Sequence, residues 1–304
     1  LTLPPNGSKD FAWLCDSGMP ACTFLGAMSV EQNGTTTLNV IQTANFFRIH
    51  NPQQEATTLT FKITQGSAPN ARVLYAGQLQ AAVTLHIRHL LAAFEKGSLS
   101  PGNVTALVTG LGNDAQLLQY LSTLLEQDQA AKNLSGMQLT AEYILNLISG
   151  RSGAKDWNGD GQTSFFQGDT HFSQSDDGFG MGTDVNVNRS PTGCNAETPT
   201  YLSYTIEHAC NAALASPSAD LEKLLTMIQT AGMNIAQWLV NIQNIAQTIV
   251  AAHQASDVSL GTVTTLANLA GNILNGAIGD NPQAGALQIL GDSEQMASIT
   301  VTAA

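Results

Sequence analysis

The sequence predicts an α+β protein: an N-terminal antiparallel β-sandwich or barrel, then an α-helical bundle, then a C-terminal tail that ends in a strand. Three observations predict it. Short β-branched and aromatic runs, separated by turn residues, fill positions 1–79. From about residue 80 the apolar residues recur with a helical period. A Ser-Ile-Thr-Val-Thr run at 298–302 closes the chain as a strand candidate.

The strands are read at Phe11-Ala-Trp-Leu, Cys22-Thr-Phe-Leu-Gly, Thr35-Thr-Thr-Leu-Asn-Val-Ile, Phe46-Phe-Arg-Ile and Thr58-Leu-Thr-Phe-Lys-Ile-Thr. Between them stand turn residues such as Asn33-Gly34, where both positions tolerate the positive φ of a tight hairpin. Residues 81–95 carry Val83, Ile87, Leu90, Leu91 and Phe94 on one helical stripe. A second helix is expected over 103–131, with a break near Gly110-Leu-Gly112. A third is expected over 135–148, ending at Gly150. Residues 151–200 read as a long polar loop. Helices four and five follow at 201–215 and 218–253, and long amphipathic stripes joined by alternating short and long links favour a bundle. Domain boundaries are placed at 1–79, 80–254 and 255–304. Residues 260–278 are amphipathic but rich in Gly, Thr and Asn, which are poor helix formers. The terminal strand would complete the chain's own β-domain or add to a neighbour's sheet edge.

Composition narrows the function classes. Of 304 residues 43% are hydrophobic, enough for a sizeable core, but only 11% are charged, against about a quarter in an average domain. The surface is therefore uncharged and polar. With 23 acidic and 11 basic residues the net charge is −12. No concentrated basic surface exists for nucleic acid, and an anionic membrane would repel the chain. No run of 18 apolar residues is present, so no membrane span is expected. Four cysteines fall into two local pairs, Cys15 with Cys22 and Cys194 with Cys210. An even count and local pairing favour two disulfides in an oxidising compartment over four buried thiols. The opening at Leu1 without Met is compatible with a removed leader.

The sharpest chemical signal is Asp156-Trp-Asn-Gly-Asp-Gly161. Asp156, Asn158 and Asp160 alternate along a turn, and a glycine follows, as in a loop that wraps oxygen ligands around calcium. Gln162 would add its backbone carbonyl. The twelfth position of a loop that starts at Asp156 is Gln167, where an EF-hand places a bidentate glutamate, so the missing carboxylate would come from Asp169, Asp176 or Asp177. The bland alternative is an Asx-rich turn without an ion. A second candidate is a transition-metal or haem site inside the bundle: His86 and His89 share a helix face, and Glu142 and His208 lie on other helices. The paired Glu-x-x-His repeats of an iron-carboxylate bundle are absent. No Gly-x-Ser-x-Gly elbow or phosphate loop occurs, and no small-molecule substrate is identified, so catalysis is not expected.

The segments Leu1-Thr-Leu-Pro-Pro, Phe11-Ala-Trp-Leu, Phe24-Leu-Gly and Val73-Leu-Tyr-Ala-Gly-Gln-Leu resemble the extracytoplasmic β-domain of anti-sigma-K factors. The continuation through His86-Ile-Arg-His-Leu-Leu, Ala141-Glu-Tyr-Ile-Leu-Asn, residues 156–161, Asp177-Gly-Phe-Gly, Ile206-Glu-His-Ala and Asn234-Ile-Ala-Gln-Trp is similar to exported bacterial proteins that fuse this β-domain to a helical bundle. The resemblance spans roughly residues 1–250 and implies Asp177 as the further calcium ligand. Three departures stand out: there is no sigma-binding segment or membrane helix, Thr140-Ala-Glu-Tyr replaces a His-Ala-Glu-His-like run, and the tail beyond about 255 has no counterpart. The expectation is a non-enzymatic extracellular or cell-surface protein, calcium-stabilised, that self-associates into a surface layer, sheath or filament. The alternative expectation is an exported metal- or ligand-binding sensor using the bundle histidines.

Overall fold

Four strands open the fold, as β-branched and aromatic residues favour. The computed structural model describes residues 10–18, 21–28, 57–92, 94–95, 103–166, 178–279, 282–297 and 302–303. Strands β1 (Asp10–Asp16), β2 (Thr23–Met28), β3 (Leu59–Gln65) and β4 (Arg72–Leu79) lie antiparallel in the order β2-β1-β3-β4. The Cys15–Cys22 disulfide closes the turn between β1 and β2. A bulge at Ala12/Trp13 shifts their register. Trp13 packs its ring 5.0 Å from Phe24 and donates its indole N–H to Thr64 Oγ1 at 2.9 Å, so the one polar atom of a buried indole is satisfied. The strands expected at 35–41 and 46–49 lie outside the described residues.

One residue after β4 the chain enters helix α1 (Ala81–Leu91). The stripe predicted to run to residue 95 stops earlier. Ala92 is extended, and Phe94–Glu95 (β5) pairs with Asn103–Val104 (β6). Ladder hydrogen bonds take the place of a last helical turn there.

Helices α2 (Leu107–Ala130), α3 (Leu134–Gly153), α4 (Tyr201–Ala215) and α5 (Ala219–Val250) form the body of the bundle. Each of the last three starts at a side-chain cap: Asn133 accepts the Gly136 N–H, Thr200 and Ser203 form a reciprocal box, and Ser218 accepts the Leu221 N–H. Contrary to the expected break, α2 runs straight through Gly110 and Gly112. The reason is packing: a Cβ on Gly110 would lie 2.1 Å from the fully buried Tyr201 ring, so the glycine is there to admit the ring. Helix α3 kinks at Gly150 (φ 68°), which lets the backbone of Gly180 approach; Met181 and Gly182 N–H then bond to the carbonyls of Leu147 and Ile148.

The segment read as a polar loop contains a hairpin, β7 (Val187–Ser190) with β8 (Gly193–Ala196). The Cys194–Cys210 disulfide ties it to α4, and Asn211 brackets Cys194 by bonding both its N–H and its C=O at 2.9 Å.

The tail joins the bundle. Helix α6 (Leu260–Asn275) and helix α7 (Ala286–Met296) both pack against α2 and α5. Val263, Leu266, Ala270 and Ile273 are fully buried at helical spacing. Each buried Val, Leu or Ile contributes about 1.5–3 kcal/mol, which outweighs the propensity cost of about 1 kcal/mol per glycine that argued against this helix. The last strand, β9 (Thr302–Ala303), pairs antiparallel with Tyr75 and Ala76 of β4, so it completes the sheet of its own chain and makes it five-stranded. The strand candidate at 298–302 falls for the rest outside the described residues.

Adding a methyl group at Gly110 forces Tyr201 to move, so Gly110→Ala should lower stability by about 1–3 kcal/mol. A Cβ on Gly112, two residues on in the same helix, meets nothing within 4 Å. Gly112→Ala should be neutral or stabilising by up to about 1 kcal/mol. Paired thermal melts of the two variants check the contrast.

Candidate functional site

Residues 154–166 leave α3 and fold back along it. Asp156 is the pivot of the turn. Its Oδ1 accepts the N–H groups of Gly159 and Asp160 at 2.7 and 3.2 Å, and its Oδ2 accepts that of Gly161 at 2.8 Å. Asn158 Oδ1 accepts the Asp160 N–H at 2.9 Å, and Asp160 Oδ1 accepts the Gln162 N–H at 2.8 Å. Gly159 and Gly161 stand at φ 78° and 90°, a conformation that a side chain would strain. Every second residue thus turns an oxygen inward along the bend, and a carboxylate has about four acceptor sites, so these oxygens are not exhausted by the N–H groups they hold.

Two residues that the sequence reading did not assign to the loop hold it in place. Glu142 and Asn146 lie four apart on α3, and both are fully buried. Glu142 Oε1 accepts the Ser164 N–H at 2.7 Å and Oε2 accepts the Asn158 N–H at 3.3 Å. Asn146 uses its whole amide: Oδ1 accepts from Lys155 N–H and the Trp157 indole, and Nδ2 donates to the carbonyls of Lys155 and Ser164. The signal available in the sequence was two polar residues one turn apart inside an otherwise apolar helical run. Lys155 places its ammonium 3.8 Å from the Trp157 ring centre. Among the described residues no Lys or Arg pairs with Glu142, Asp156 or Asp160. Burial, together with the charges of Glu142 and Asp160, raises the Tyr143 hydroxyl pKa.

This chemistry suits a hard cation, since it offers several oxygen ligands, two of them carboxylates. Asp156 and Asp160 are the two carboxylates of the turn, and Asn158 and the Gln162 carbonyl are neutral donors. Among the described residues no group of three or more His, Cys, Asp or Glu side chains forms a metal-binding cluster. Asp169, Asp176 and Asp177, like Gln167, lie outside the described residues.

The second candidate set separates. Glu142 is committed to the loop, whereas the three histidines meet between α1 and α4. His86 Nδ1 lies 3.0 Å from His208 Nδ1, and His89 Nδ1 lies 3.4 Å from His208 Nε2. His208 therefore turns a different nitrogen to each neighbour, and the three rings share no focus for one metal ion. Burial pushes His86 and His89 down to about 4, with the charge of His89 adding to the effect on His86; burial holds His208 well below the usual imidazole range. The rings are uncharged at neutral pH.

Of the tryptophans, Trp13 and Trp238 are core residues, and Trp157 is bound to Asn146. Glu207, beside His208 in sequence, accepts the Ala196 N–H and has a pKa raised by burial.

Asn146→Ala should leave the Lys155 N–H and the Trp157 indole without their acceptor. Both bonds are part-buried, so the loss should be about 1–3 kcal/mol for the pair. A drop in melting temperature, with altered Trp157 fluorescence in the folded state, checks this.

The chain matches no family model, no curated protein and no solved structure.

Proposed function

We propose that this chain is an exported architectural protein whose polar loop is clamped by calcium and which works by self-association rather than catalysis. The observation that carries the reading is the turn at Asp156. One carboxylate gathers three successive N–H groups, so the side-chain oxygens of residues 156, 158 and 160 line one bend, as a calcium loop requires. The buried Glu142 and Asn146 preorganise that bend, which lowers the ordering cost of binding. Asp177, favoured by the resemblance to exported proteins with an anti-sigma-K-like β-domain, would add a carboxylate.

Two disulfides, Cys15–Cys22 and Cys194–Cys210, support an oxidising, extracellular or cell-surface setting. No helix among the described residues is long and apolar enough to cross a membrane. A surface covered mainly by uncharged polar side chains can pack closely against neighbours, which supports packing into a layer, sheath or filament.

Calcium should raise the melting temperature by several degrees at saturating concentration, since a ligand at about 100 times its Kd adds about 2.7 kcal/mol. Chelator should reverse the shift, and Asp156→Asn with Asp160→Asn should abolish it. An unchanged melting curve with and without calcium would sink the clamp. Light scattering at rising protein concentration tests assembly separately: growing particles support it, and a monodisperse monomer with or without calcium rejects it.

A further inference from the structure

The sequence holds four Asn-Gly pairs, beginning at Asn6, Asn33, Asn158 and Asn275. Such a pair can react with itself. The glycine nitrogen attacks the asparagine side-chain amide carbon, and no Cβ on the glycine stands in the way. Asn6-Gly7 and Asn33-Gly34 lie outside the described residues. The fold treats the other two, Asn158-Gly159 and Asn275-Gly276, in opposite ways.

At Asn158 the parts of an attack are assembled. Its Oδ1 accepts the Asp160 N–H at 2.9 Å, so the side chain folds forward along the next peptide. The ring that this bond closes contains both the Asn158 Cγ and the Gly159 nitrogen. The same N–H points at the oxygen on which negative charge develops when Cγ is attacked. The Gly159 N–H is donated to Asp156 Oδ1 at 2.7 Å, within reach of a general base. That bond lies in the peptide plane, whereas attack uses the face of the nitrogen, so base and electrophile do not compete for one direction. Gly159 is exposed, and a Cβ there would meet nothing within 4 Å, so water reaches the pair. We propose that Asn158 is a self-modification site, at which Asp156 acts as general base, the Gly159 nitrogen closes on the Asn158 side chain, and residue 158 becomes aspartate or isoaspartate.

The N–Cγ bond forms as the Gly159 proton passes to Asp156. The Cγ–Nδ2 bond then breaks, and the proton leaves with that nitrogen as ammonia, which restores the Asp156 carboxylate. Water opens the cyclic imide. Opening at one carbonyl gives aspartate, which turns the neutral side chain of the bend into a carboxylate. Opening at the other gives isoaspartate, which lengthens the main chain by one methylene and shifts the register of the bend. Asn275 lacks both aids, although it is the more exposed asparagine. Its Nδ2 reaches back along α6 to the Gly271 carbonyl at 3.3 Å, away from the next peptide. The Gly276 N–H is held at 2.8 Å by the Asn272 carbonyl, a helical partner that is no base. Gly276 is buried, and a Cβ there would lie 2.4 Å from the Gln283 carbonyl oxygen. Exposure therefore does not separate the two pairs; the base and the fold of the side chain do.

Incubation of the whole chain at neutral pH, followed by peptide mapping by mass spectrometry, tests the site. Chelator is present throughout, so the outcome is independent of the calcium clamp. Asn158 should convert to a mixture of aspartate and isoaspartate, about tenfold or more faster than in a synthetic peptide of residues 153–164, while Asn275 stays intact. Asp156→Asn keeps an oxygen to accept the Gly159 N–H but removes the base, and conversion should slow by about tenfold or more. An Asn158 that stays unmodified, a gain over the peptide smaller than this, an Asn275 that converts as fast, or an Asp156→Asn variant with the wild-type rate would each overturn the proposal. If the variant does not fold, the native chain against the peptide decides by the same margin.

Discussion

A carboxylate removed from water has to be given hydrogen bonds, and Glu142 meets that demand with the backbone of a loop that is remote from it in sequence. The N–H groups of Asn158 and Ser164 are its partners, and Asn146, one turn along α3, adds four more bonds to the same segment. Because the two side chains are fully buried, their geometry is set by the bundle. The bundle therefore dictates the path of residues 155–164, and the path in turn brings the oxygens of Asp156, Asn158 and Asp160 to one bend. Neither end of this chain of causes is free to drift: moving the loop would orphan buried polar groups, and moving α3 would open the core.

The same logic of satisfied polar groups joins the other parts. Arg88 reaches from α1 to Asp16 on β1. Asn211 and the Cys194–Cys210 disulfide fasten the small hairpin to α4. Gln129 and Gln138 donate to backbone carbonyls at Val258, Val250 and Ala252, fixing the passage from α5 to α6. In a chain with so few charges, amides take over work that ion pairs do elsewhere. They are insensitive to salt and pH.

Much of the architecture was legible in the sequence, for stated reasons. Helices α4 and α5 follow their apolar stripes and their caps at Thr200 and Ser218, and strands β1 to β4 follow their β-branched and aromatic runs. The cysteine pairs were read from spacing, and both disulfides are formed. Misreadings arose where local preference and tertiary contact disagree. Gly110 reads as a break and is a seat for Tyr201. The Gly- and Thr-rich stretch at 260–275 reads as a poor helix and is one, until Val263, Leu266 and Ile273 are buried. Pro191 and Thr192 sit in a polar stretch and make the turn of a hairpin.

Periodicity, turn chemistry and composition by themselves determined the α+β order, the cysteine pairing, the low-charge surface and the alternating oxygens of residues 156–160, since each of these depends on neighbours along the chain. The tertiary structure alone decided that Glu142 belongs with the loop and not with the histidines, that His208 stands between His86 and His89, and that the terminal strand lies on β4 of its own chain. Those outcomes join residues up to about 230 positions apart. What brings them together is the burial of apolar faces, which carries polar side chains to partners that no local pattern can name.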